Sequence, residues 1–345
     1  MKKMAGFYFR IQPDHLLWLM QKSVDSYLYD ISIIVPLLNE ERFVKNLIAS
    51  LLKADGIKKE LLLVDGGSTD QTVTIIRQVM AENADVKLVT NPARFVSHGF
   101  NKAFHVATGN YIALVGAHAV YADAYFKSGI MELENGTCDA VGGPLFQKGK
   151  NDTGKAIAYA MSTKLGVGGT EFRTESTRMY VDSVAFAIYS RKIFEKVGLL
   201  DEDLIRNQDD EFHYRVNKAG FRMLMIPEMK AEYYVRDSLS GLYKQYFGYG
   251  YYKPLVLKKV PEGVRFRHLI PAFFTVYIFS LPIAFFYPVY ALPLLLYLSL
   301  IVIFAIKSPL NIAAKHIALC VYPILHFAYG LGFIKGLKLI FSLDK

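Results

Sequence analysis

Carboxylate side chains stand at two places in this chain where they could hold a polar ligand or accept a proton. Asp65 closes an apolar run at residues 61–64, and Asp70 follows after two glycines, a serine and a threonine. Much later, Asp209 and Asp210 open an amphipathic stretch. A carboxylate accepts hydrogen bonds from hydroxyl and N–H groups, and it can take a proton from an attacking hydroxyl. The first group is a candidate for ligand binding, and the second is a candidate for proton transfer.

The elements around Asp65 follow from the local pattern. The apolar run before it has the composition of a buried parallel strand, and the two glycines after it allow a sharp turn. The Ser-Thr-Asp sequence that ends in Asp70 offers three good N-cap residues, so a helix is predicted at residues 72–80. Ligands of open α/β sheets bind outside the carboxyl ends of the strands. We therefore expect Asp65 to face a ligand.

Strands and helices alternate along most of the chain before residue 220. Apolar runs predict strands at residues 31–35, 61–64, 86–89, 111–115 and 181–186, with Pro36 ending the first of them. Helical spacing predicts helices at residues 39–51, 72–80, 98–107 and 209–219. The glycine-rich, basic residues 164–173 predict a mobile loop, either closing on a phosphorylated substrate or without a ligand. The alternation predicts an α/β fold whose parallel sheet is covered by helices on both faces.

The C-terminal part has the composition of a membrane protein. No charged residue occurs between Leu269 and Ile306, and a bilayer helix needs about 20 apolar residues. This run predicts two spans joined near Tyr287, and residues 316–334 form a third segment that spans or re-enters. Basic residues flank the first span and separate the second from the third, which predicts a cytoplasmic catalytic domain at the inner (plasma) membrane. A buried helical hairpin is the alternative.

Charge, cysteine content and the first residues exclude other classes. The formal net charge of +9 is explained by basic residues beside the predicted spans, which form no stripe of the kind that binds nucleic acid. Cys138 and Cys320 are far apart in the sequence and predict neither a disulfide framework nor a zinc site. Residues 7–20 contain charges and a proline, so they predict an amphipathic extension rather than a signal peptide.

Three short motifs occur in order along the α/β region. They are Pro36-x-x-Asn39-Glu40, the Val-Asp-Gly-Gly-Ser-Thr-Asp turn at 64–70, and the Arg-Asn-Gln-Asp-Asp-Glu run at 206–211. Together they resemble family-two, inverting glycosyltransferases, in particular the succinoglycan-biosynthesis type of bacterial exopolysaccharide enzymes. The resemblance covers about residues 31–253. It implies an α/β fold with a GT-A domain, a Rossmann-like nucleotide-diphospho-sugar transferase, followed by C-terminal transmembrane helices.

The resemblance implies a donor site built from the first two motifs. Pro36, Glu40, Asp65 and Asp70 would bind a nucleotide sugar, and Asp65 would hold the uracil of a UDP-sugar. Without the resemblance, Asp65 could be a plain turn residue, and Glu40 could be an acid that complements a helix dipole.

The resemblance also implies the catalytic and acceptor residues. Asp209 would be the base that accepts the proton of the acceptor hydroxyl, with Asp210 as the alternative because two adjacent aspartates both match the motif to within one position. Asp182, Arg173 and Gln245 would lie on the acceptor side. The segment around Gln245 lacks the Gln-x-x-Arg-Trp signature of processive relatives, which favours single transfer. Acids in a first helical turn are also favourable without any catalytic role.

The metal motif departs from the family pattern. The family carries Asp-x-Asp, or Asp-x-His in the succinoglycan branch, after the fourth strand, and binds a divalent metal (Mn²⁺ or Mg²⁺) there. This chain has Gly116 in the first position and His118 in the third. Three outcomes stay open: His118 and the diphosphate hold a weakly bound ion, another acid such as Asp123 substitutes, or activity needs little metal or is lost. His118 could also simply pack against the sheet edge.

The sequence therefore predicts an extension at 1–29, a glycosyltransferase domain at 30–253, and an interfacial linker with two or three membrane helices at 254–345. The predicted reaction moves a sugar from a nucleotide sugar to a lipid-linked saccharide in extracellular or capsular polysaccharide synthesis. A catalytically retired, membrane-anchored nucleotide-sugar-binding or scaffold protein is the alternative, and Gly116 favours it. A nucleotidyltransferase is disfavoured because its glycine-rich, basic signature does not follow the first strand.

Overall fold

The apolar run at 61–64 forms the interior of strand β2, Lys59–Asp65, in which every residue is buried. In the computed structural model, which describes residues 29–53, 56–263 and 265–342, this strand belongs to an eight-stranded sheet. The strands lie in the order β3 (Val86–Thr90), β2, β1 (Tyr29–Leu37), β4 (Gly109–Leu114), β9 (Ala185–Ser190), β6 (Ala140–Gly143), β10 (Met223–Met225) and β8 (Met179–Tyr180). A smaller sheet contains β5 (Ala119–Tyr121), β11 (Ala231–Tyr234) and β7 (Leu145–Lys148). Most of the predicted N-terminal extension lies outside the described residues.

Strand β1 continues through Pro36, where the sequence predicted its end. Pro36 lies opposite Val64 of β2, and the pairing of β1 with β4 ends at Ile34 and Leu114. Alternate residues of a strand bond to opposite neighbours, and Ile34 and Pro36 both face the β4 side, where Val115 donates to the Ile34 carbonyl. The missing N–H group of Pro36 therefore costs no ladder hydrogen bond, because β4 has already ended opposite it.

The sheet is mixed, so the prediction of an all-parallel sheet is wrong for its second half. Strands β3, β2, β1 and β4 run parallel, whereas β9 is antiparallel to both β4 and β6, and β8 is antiparallel to β10. The predicted strand at 181–186 is also displaced, because β9 begins only at Ala185. Val181 and Val184 are nevertheless buried, which explains why their apolar pattern resembled a strand.

Helices cover both faces of the sheet, as predicted. Ile31, Ile33 and Val35 point to one face, and Ile34 with Leu62 points to the other. The helices are α1 (Val44–Leu51), α2 (Thr72–Glu82), α3 (Val96–Val106), α4 (Tyr125–Glu134), α5 (Asp152–Met161), α6 (Lys164–Val167), α7 (Glu171–Thr174), α8 (Arg191–Val197), α9 (Gln208–Lys218), α10 (Leu239–Lys259), α11 (Phe266–Ser280), α12 (Leu292–Lys307), α13 (Ile312–Gly336) and α14 (Lys338–Ser342). The predicted loop at 164–173 is instead two short helices, α6 and α7, joined at Gly168 and Gly169, which both have positive φ.

Three C-terminal segments are long and apolar enough to span a membrane. They are Phe266–Phe285, Pro288–Lys307 and Ile312–Ile340. The first two are almost uncovered by protein, with 6% and 11% of their most apolar windows buried, whereas 44% of the third is buried. Helix α10 covers this third segment by packing against α13. A Cβ on Gly332 of α13 would lie 2.2 Å from the Phe247 carbonyl oxygen of α10, so only glycine permits the two helices to approach this closely. The predicted domain boundary after residue 253 falls inside the continuous helix α10.

Candidate active site

The turns after β1 and β2 are tied together by hydrogen bonds at the carboxyl edge of the sheet. The Asn39 side-chain oxygen accepts from the Thr69 N–H at 2.8 Å, and the Ser68 hydroxyl oxygen accepts from the Asn39 N–H at 2.8 Å. Asn39 has φ 58°, a left-handed conformation that asparagine tolerates. The Glu40 N–H donates to the Thr72 hydroxyl at 2.7 Å. The first two sequence motifs therefore form one rigid unit.

Glu40 and His118 meet in a cavity of about 190 Å³ beside these turns, here called the His118 cavity. The Glu40 Oε1 and His118 Nε2 atoms are 2.9 Å apart. Glu40 is 7% exposed and Asn91 is 3% exposed, and among the described residues one side-chain oxygen of each has no hydrogen-bond partner. Pro36 and Arg94 also line this cavity. The wall of this cavity therefore carries polar side chains that suit a polar ligand.

Asp65 and Asp70 lie next to the His118 cavity but do not line it. The buried Asp65 carboxylate accepts from the backbone N–H groups of Gly67, at 3.0 Å, and Ser68, at 3.1 Å, and so closes its own turn. Its oxygens keep further lone pairs. The Asp70 carboxylate accepts from the N–H groups of Thr72, at 3.0 Å, and Glu41, at 3.2 Å. Asp70 therefore joins the two turns. Partial loss of water would raise the pKa of Asp70, but these hydrogen bonds outweigh it, and the pKa lies below its ordinary value.

The position of the missing metal-site carboxylate is occupied by an aromatic ring. A Cβ on Gly116 would lie 2.7 Å from Cε1 of Phe186, which itself has the unusual φ of 50°. Asp123 does not take over, because its side chain is 81% exposed and paired with Lys53 at 2.6 Å. The described residues contain no group of three metal-ligand side chains. The acid nearest to His118 is Glu40, whose Oε1 lies 2.9 Å from the His118 Nε2.

Asp209 opens into a second cavity of about 300 Å³, here called the Asp209 cavity. It meets the His118 cavity at Pro36 and Val96, which line both. Arg173 and Tyr249 stand on its wall. The two neighbouring cavities lie along the edge of the sheet and are together called the cleft.

The start of α9 is held in place so that Asp209 and Asp210 lie in different environments. Asn207, with φ 60°, precedes the helix and donates from its side chain to the Tyr249 carbonyl at 2.9 Å. Asp209 then faces the Asp209 cavity, whereas Asp210 is ion-paired with the buried Lys253 and lines a different cavity. Of the two candidates, the geometry favours Asp209 as the group that can reach a substrate.

The same arrangement separates the pKa values of the two carboxylates. Asp209 is exposed at its cavity, but the protein around it excludes part of the bulk water; this loss of water, and then the charge of Asp210, raise the pKa of Asp209 to about 6. Loss of water would also raise the pKa of Asp210, but the Lys253 ammonium outweighs it, and the pKa of Asp210 lies below its ordinary value. A base with a pKa near neutrality suits proton transfer at physiological pH.

His213, one turn after Asp209, is a neutral partner in the same wall. Its Nδ1 is 2.9 Å from the Ser183 hydroxyl, and its Nε2 is 2.7 Å from the Tyr189 hydroxyl. Burial lowers the pKa of His213 to about 4, so the imidazole is uncharged at neutral pH. With both nitrogens in hydrogen bonds, His213 fixes the floor of the cavity.

The predicted acceptor-side residues are only partly brought together. Arg173 lines the Asp209 cavity. Gln245 is buried and does not line this cavity, but its side-chain amide donates to the hydroxyl of Tyr249, which does, at 3.1 Å. Asp182 lies apart, ion-paired with Arg265 in the cavity that contains Asp210.

Sequence reasoning did not single out several residues of the cleft. Asn91 and Arg94 stand after β3, where the rule on carboxyl strand ends could have selected them. Tyr233 and Tyr249 belong to an aromatic segment whose residues look alike in sequence. No sequence signal identifies Phe186, because its role depends on contact with Gly116, 70 positions earlier.

Known proteins resemble this chain in sequence. Residues 32–198 match the model of the family described as glycosyl transferase family 2. The succinoglycan biosynthesis protein ExoA of Rhizobium meliloti (strain 1021) is 33% identical over 221 residues, which are 63% of this chain and 67% of that protein. The chain belongs to glycosyltransferase family 2. Its likeness to ExoA confirms the predicted exopolysaccharide type and the assignment as a glycosyl-transferring enzyme.

Two further relatives extend over nearly the whole glycosyltransferase. The dolichyl N-acetyl-alpha-D-glucosaminyl phosphate 3-beta-D-2,3-diacetamido-2,3-dideoxy-beta-D-glucuronosyltransferase of Methanococcus voltae is 27% identical over 322 residues, 89% of this chain and 98% of that protein. The mannosyltransferase PcManGT from Pyrobaculum calidifontis, solved in complex with GDP-Man and Mn²⁺, has a TM-score of 0.58 at 17% identity and covers 94% of both chains. The likeness in structure confirms the GT-A fold class.

Proposed function

We propose that this glycosyltransferase moves one sugar from a UDP-sugar to a lipid-linked saccharide during synthesis of an extracellular or capsular polysaccharide, with inversion at the anomeric carbon. The two neighbouring cavities of the cleft carry this proposal. Its His118 end offers polar groups for a nucleotide, and its Asp209 end offers a carboxylate with a raised pKa for the acceptor.

The donor would lie at the His118 end. The side chains of Glu40, Asn91 and His118 line this end and can exchange hydrogen bonds with the base and ribose of a nucleoside. Pro36 frames the same space, and Arg94 offers a cation to the diphosphate. Asp65 and Asp70 contribute by holding the two turns, and Asp65 keeps lone pairs for the base.

A divalent ion, Mn²⁺ or Mg²⁺, would be held by His118 and Glu40 together with the donor diphosphate. Such an ion neutralises the charge of the leaving diphosphate when it is bound. Two protein ligands with substrate oxygens suit a metal that binds with the donor rather than before it.

Asp209 would act as the base. The acceptor hydroxyl oxygen attacks the anomeric carbon from the side opposite the diphosphate, the new C–O bond forms as the bond to the diphosphate oxygen breaks, and the hydroxyl proton passes to Asp209. This single displacement inverts the carbon. Arg173 and the Gln245-supported Tyr249 would orient the acceptor, while Asp182 is placed to support Arg265 instead.

The enzyme would be a multi-pass protein of the inner membrane with its catalytic domain in the cytoplasm. The two uncovered helices supply two spans, with the boundary of the catalytic domain near residue 253. The third segment would not cross, because Lys335 lies 5.9 Å from the ring of Phe247 on α10 and thus beside the catalytic domain. A thiol-reactive, membrane-impermeant label on a cysteine at position 338, in an otherwise cysteine-free variant, tests this: labelling of intact cells from outside would overturn the assignment.

Nucleotide titration tests the function. The detergent-purified protein is titrated with UDP and with GDP, each with Mn²⁺ and with a chelator, by calorimetry. We expect UDP-selective binding that Mn²⁺ strengthens, followed by transfer from UDP-sugars that Asp209→Asn abolishes without loss of UDP binding. UDP binding without any transfer would support the retired scaffold, and binding of neither nucleotide would overturn the donor site.

A further inference from the structure

A third cavity lies between the catalytic domain and the membrane segments. It has a volume of about 200 Å³ and is here called the Arg267 cavity. One side is formed by α10 and by the turn that ends α6, residues 166–168, and the other by the start of α11 and the middle of α13. Gly168, at φ 65°, brings this turn close to Arg267: a Cβ on the glycine would lie 3.6 Å from the Arg267 Cβ. The glycosyl-transfer chemistry above makes no use of this space.

The cavity is positively charged. Arg173 and Arg267 line it, and no acidic residue does. Arg267 also lines the neighbouring cavity that contains Asp182 and Asp210, so it stands between the two cavities. Guanidinium groups bind phosphate through paired N–H donors, so two of them in one acid-free cavity indicate a phosphate ligand.

The side formed by α11 and α13 also carries apolar residues, and these continue onto the exposed apolar surface of the first predicted span. Ile270, Pro271 and Leu325 line the cavity from helices α11 and α13. Ile270 is 49% exposed, and Phe273 and Val276 farther along α11 are 61% and 55% exposed. An apolar chain that leaves the cavity would therefore run along the outside of the first predicted span.

The Arg267 cavity also lies next to the cleft. Arg173 and Tyr249 line both this cavity and the Asp209 cavity. A molecule whose phosphate is bound at Arg267 would thus carry its next group past Tyr249 towards Asp209. The order along the path is apolar surface, phosphate site, carboxylate.

We infer that the Arg267 cavity binds the phosphate of a lipid-phosphate acceptor, with the lipid tail along α11 and the saccharide directed to Asp209. This inference rests on the proposed lipid-linked acceptor and adds the site that recognises it. Arg267 is the discriminating residue, since Arg173 also faces the transfer cavity.

Binding of farnesyl phosphate to the full-length protein in detergent tests the inference, with farnesol, inorganic phosphate and inorganic diphosphate as comparison ligands. Arg267→Gln is compared with the matched control Arg265→Gln, whose arginine pairs with Asp182 outside this cavity. We expect farnesyl phosphate to bind at least tenfold more tightly than farnesol. Arg267→Gln should weaken it about tenfold or more, because hydrogen bonds to a charged group are lost, and Arg265→Gln should leave it unchanged.

UDP binding serves as the independent readout for every variant. Unchanged UDP binding by Arg267→Gln shows an intact fold and supports the site if farnesyl phosphate binding is lost. The inference would be overturned if farnesol bound as tightly as farnesyl phosphate, or if Arg267→Gln had no effect. It would also be overturned if inorganic diphosphate at the same concentration displaced farnesyl phosphate, because the cavity would then be a site for the diphosphate of the donor product. If the wild-type protein binds farnesyl phosphate through Arg267 but binds no nucleotide, the site stands and the proposed function fails.

Discussion

The raised pKa of Asp209 gives a quantitative pH prediction. With a pKa of about 6, the base form amounts to about 97% at a pH of about 7.5 and about 9% at a pH of about 5. The transfer rate at saturating substrates should therefore fall about tenfold between these two pH values. An aspartate with an ordinary pKa of about 3.9 would stay ionised and lose almost nothing over the same interval.

Asp210→Asn is the perturbation that tests the cause. It removes the second contribution to the raised pKa, while its amide oxygen can still accept the hydrogen bond of Lys253. The midpoint of the rate profile should move to lower pH, so the variant should keep more of its activity in acid than the wild type. The loss of water around Asp209 is unchanged, so the midpoint should stay above that of a free aspartate.

The assay measures the rate of sugar transfer to the acceptor in single-turnover reactions from a pH of about 5 to about 8. UDP binding is measured at each pH as the control for folding. A flat profile would refute the assignment of Asp209 as the base. An Asp210→Asn variant without activity beside an active Asp209→Asn variant would show that the base is Asp210. An unshifted midpoint in Asp210→Asn would refute the charge coupling but leave the base in place.

Three further predictions concern the surroundings of the site. Gly116→Ala places a methyl group against the Phe186 ring and should destabilise the protein by about 1–3 kcal/mol, as measured by thermal unfolding in detergent. A variant as stable as the wild type would show that the Phe186 ring moves aside without cost. His118→Ala should remove the effect of Mn²⁺ on UDP affinity, and a persisting metal effect would place the ion elsewhere. Burial would raise the pKa of Glu60, but Lys87 and the other hydrogen-bond partners outweigh it, so the pKa of Glu60 lies below its ordinary value. The ionised carboxylate therefore contributes its full stability above the ordinary pKa of about 4.3, and this contribution is lost as the pH falls through the lowered pKa. Glu60→Gln should flatten this acid limb of the unfolding free energy, and an unchanged limb would contradict the assignment.

The sequence by itself determined the parallel half of the fold and the start of α9. Residues 61–64 are an apolar run that ends at a glycine turn, and this local signal suffices for a buried strand with Asp65 at its end. The acids from Asp209 onward followed by helical spacing likewise define a helix start, which the structure has at Gln208. Both signals depend on neighbours within one element.

Tertiary structure alone decided the features that depend on distant contacts. The direction of β9 follows from its pairing with β4 and β6, which an apolar pattern does not encode. The ring of Phe186 fills the space beside Gly116, so the departure from the metal motif acquires a steric reason that the motif itself lacks. The separate surroundings of Asp209 and Asp210 arise because Lys253, on a helix that begins 30 residues later, is buried against only one of them. Desolvation and ion pairing are set by such packing, and neighbouring residues of the same type therefore differ in pKa although the sequence makes them look alike.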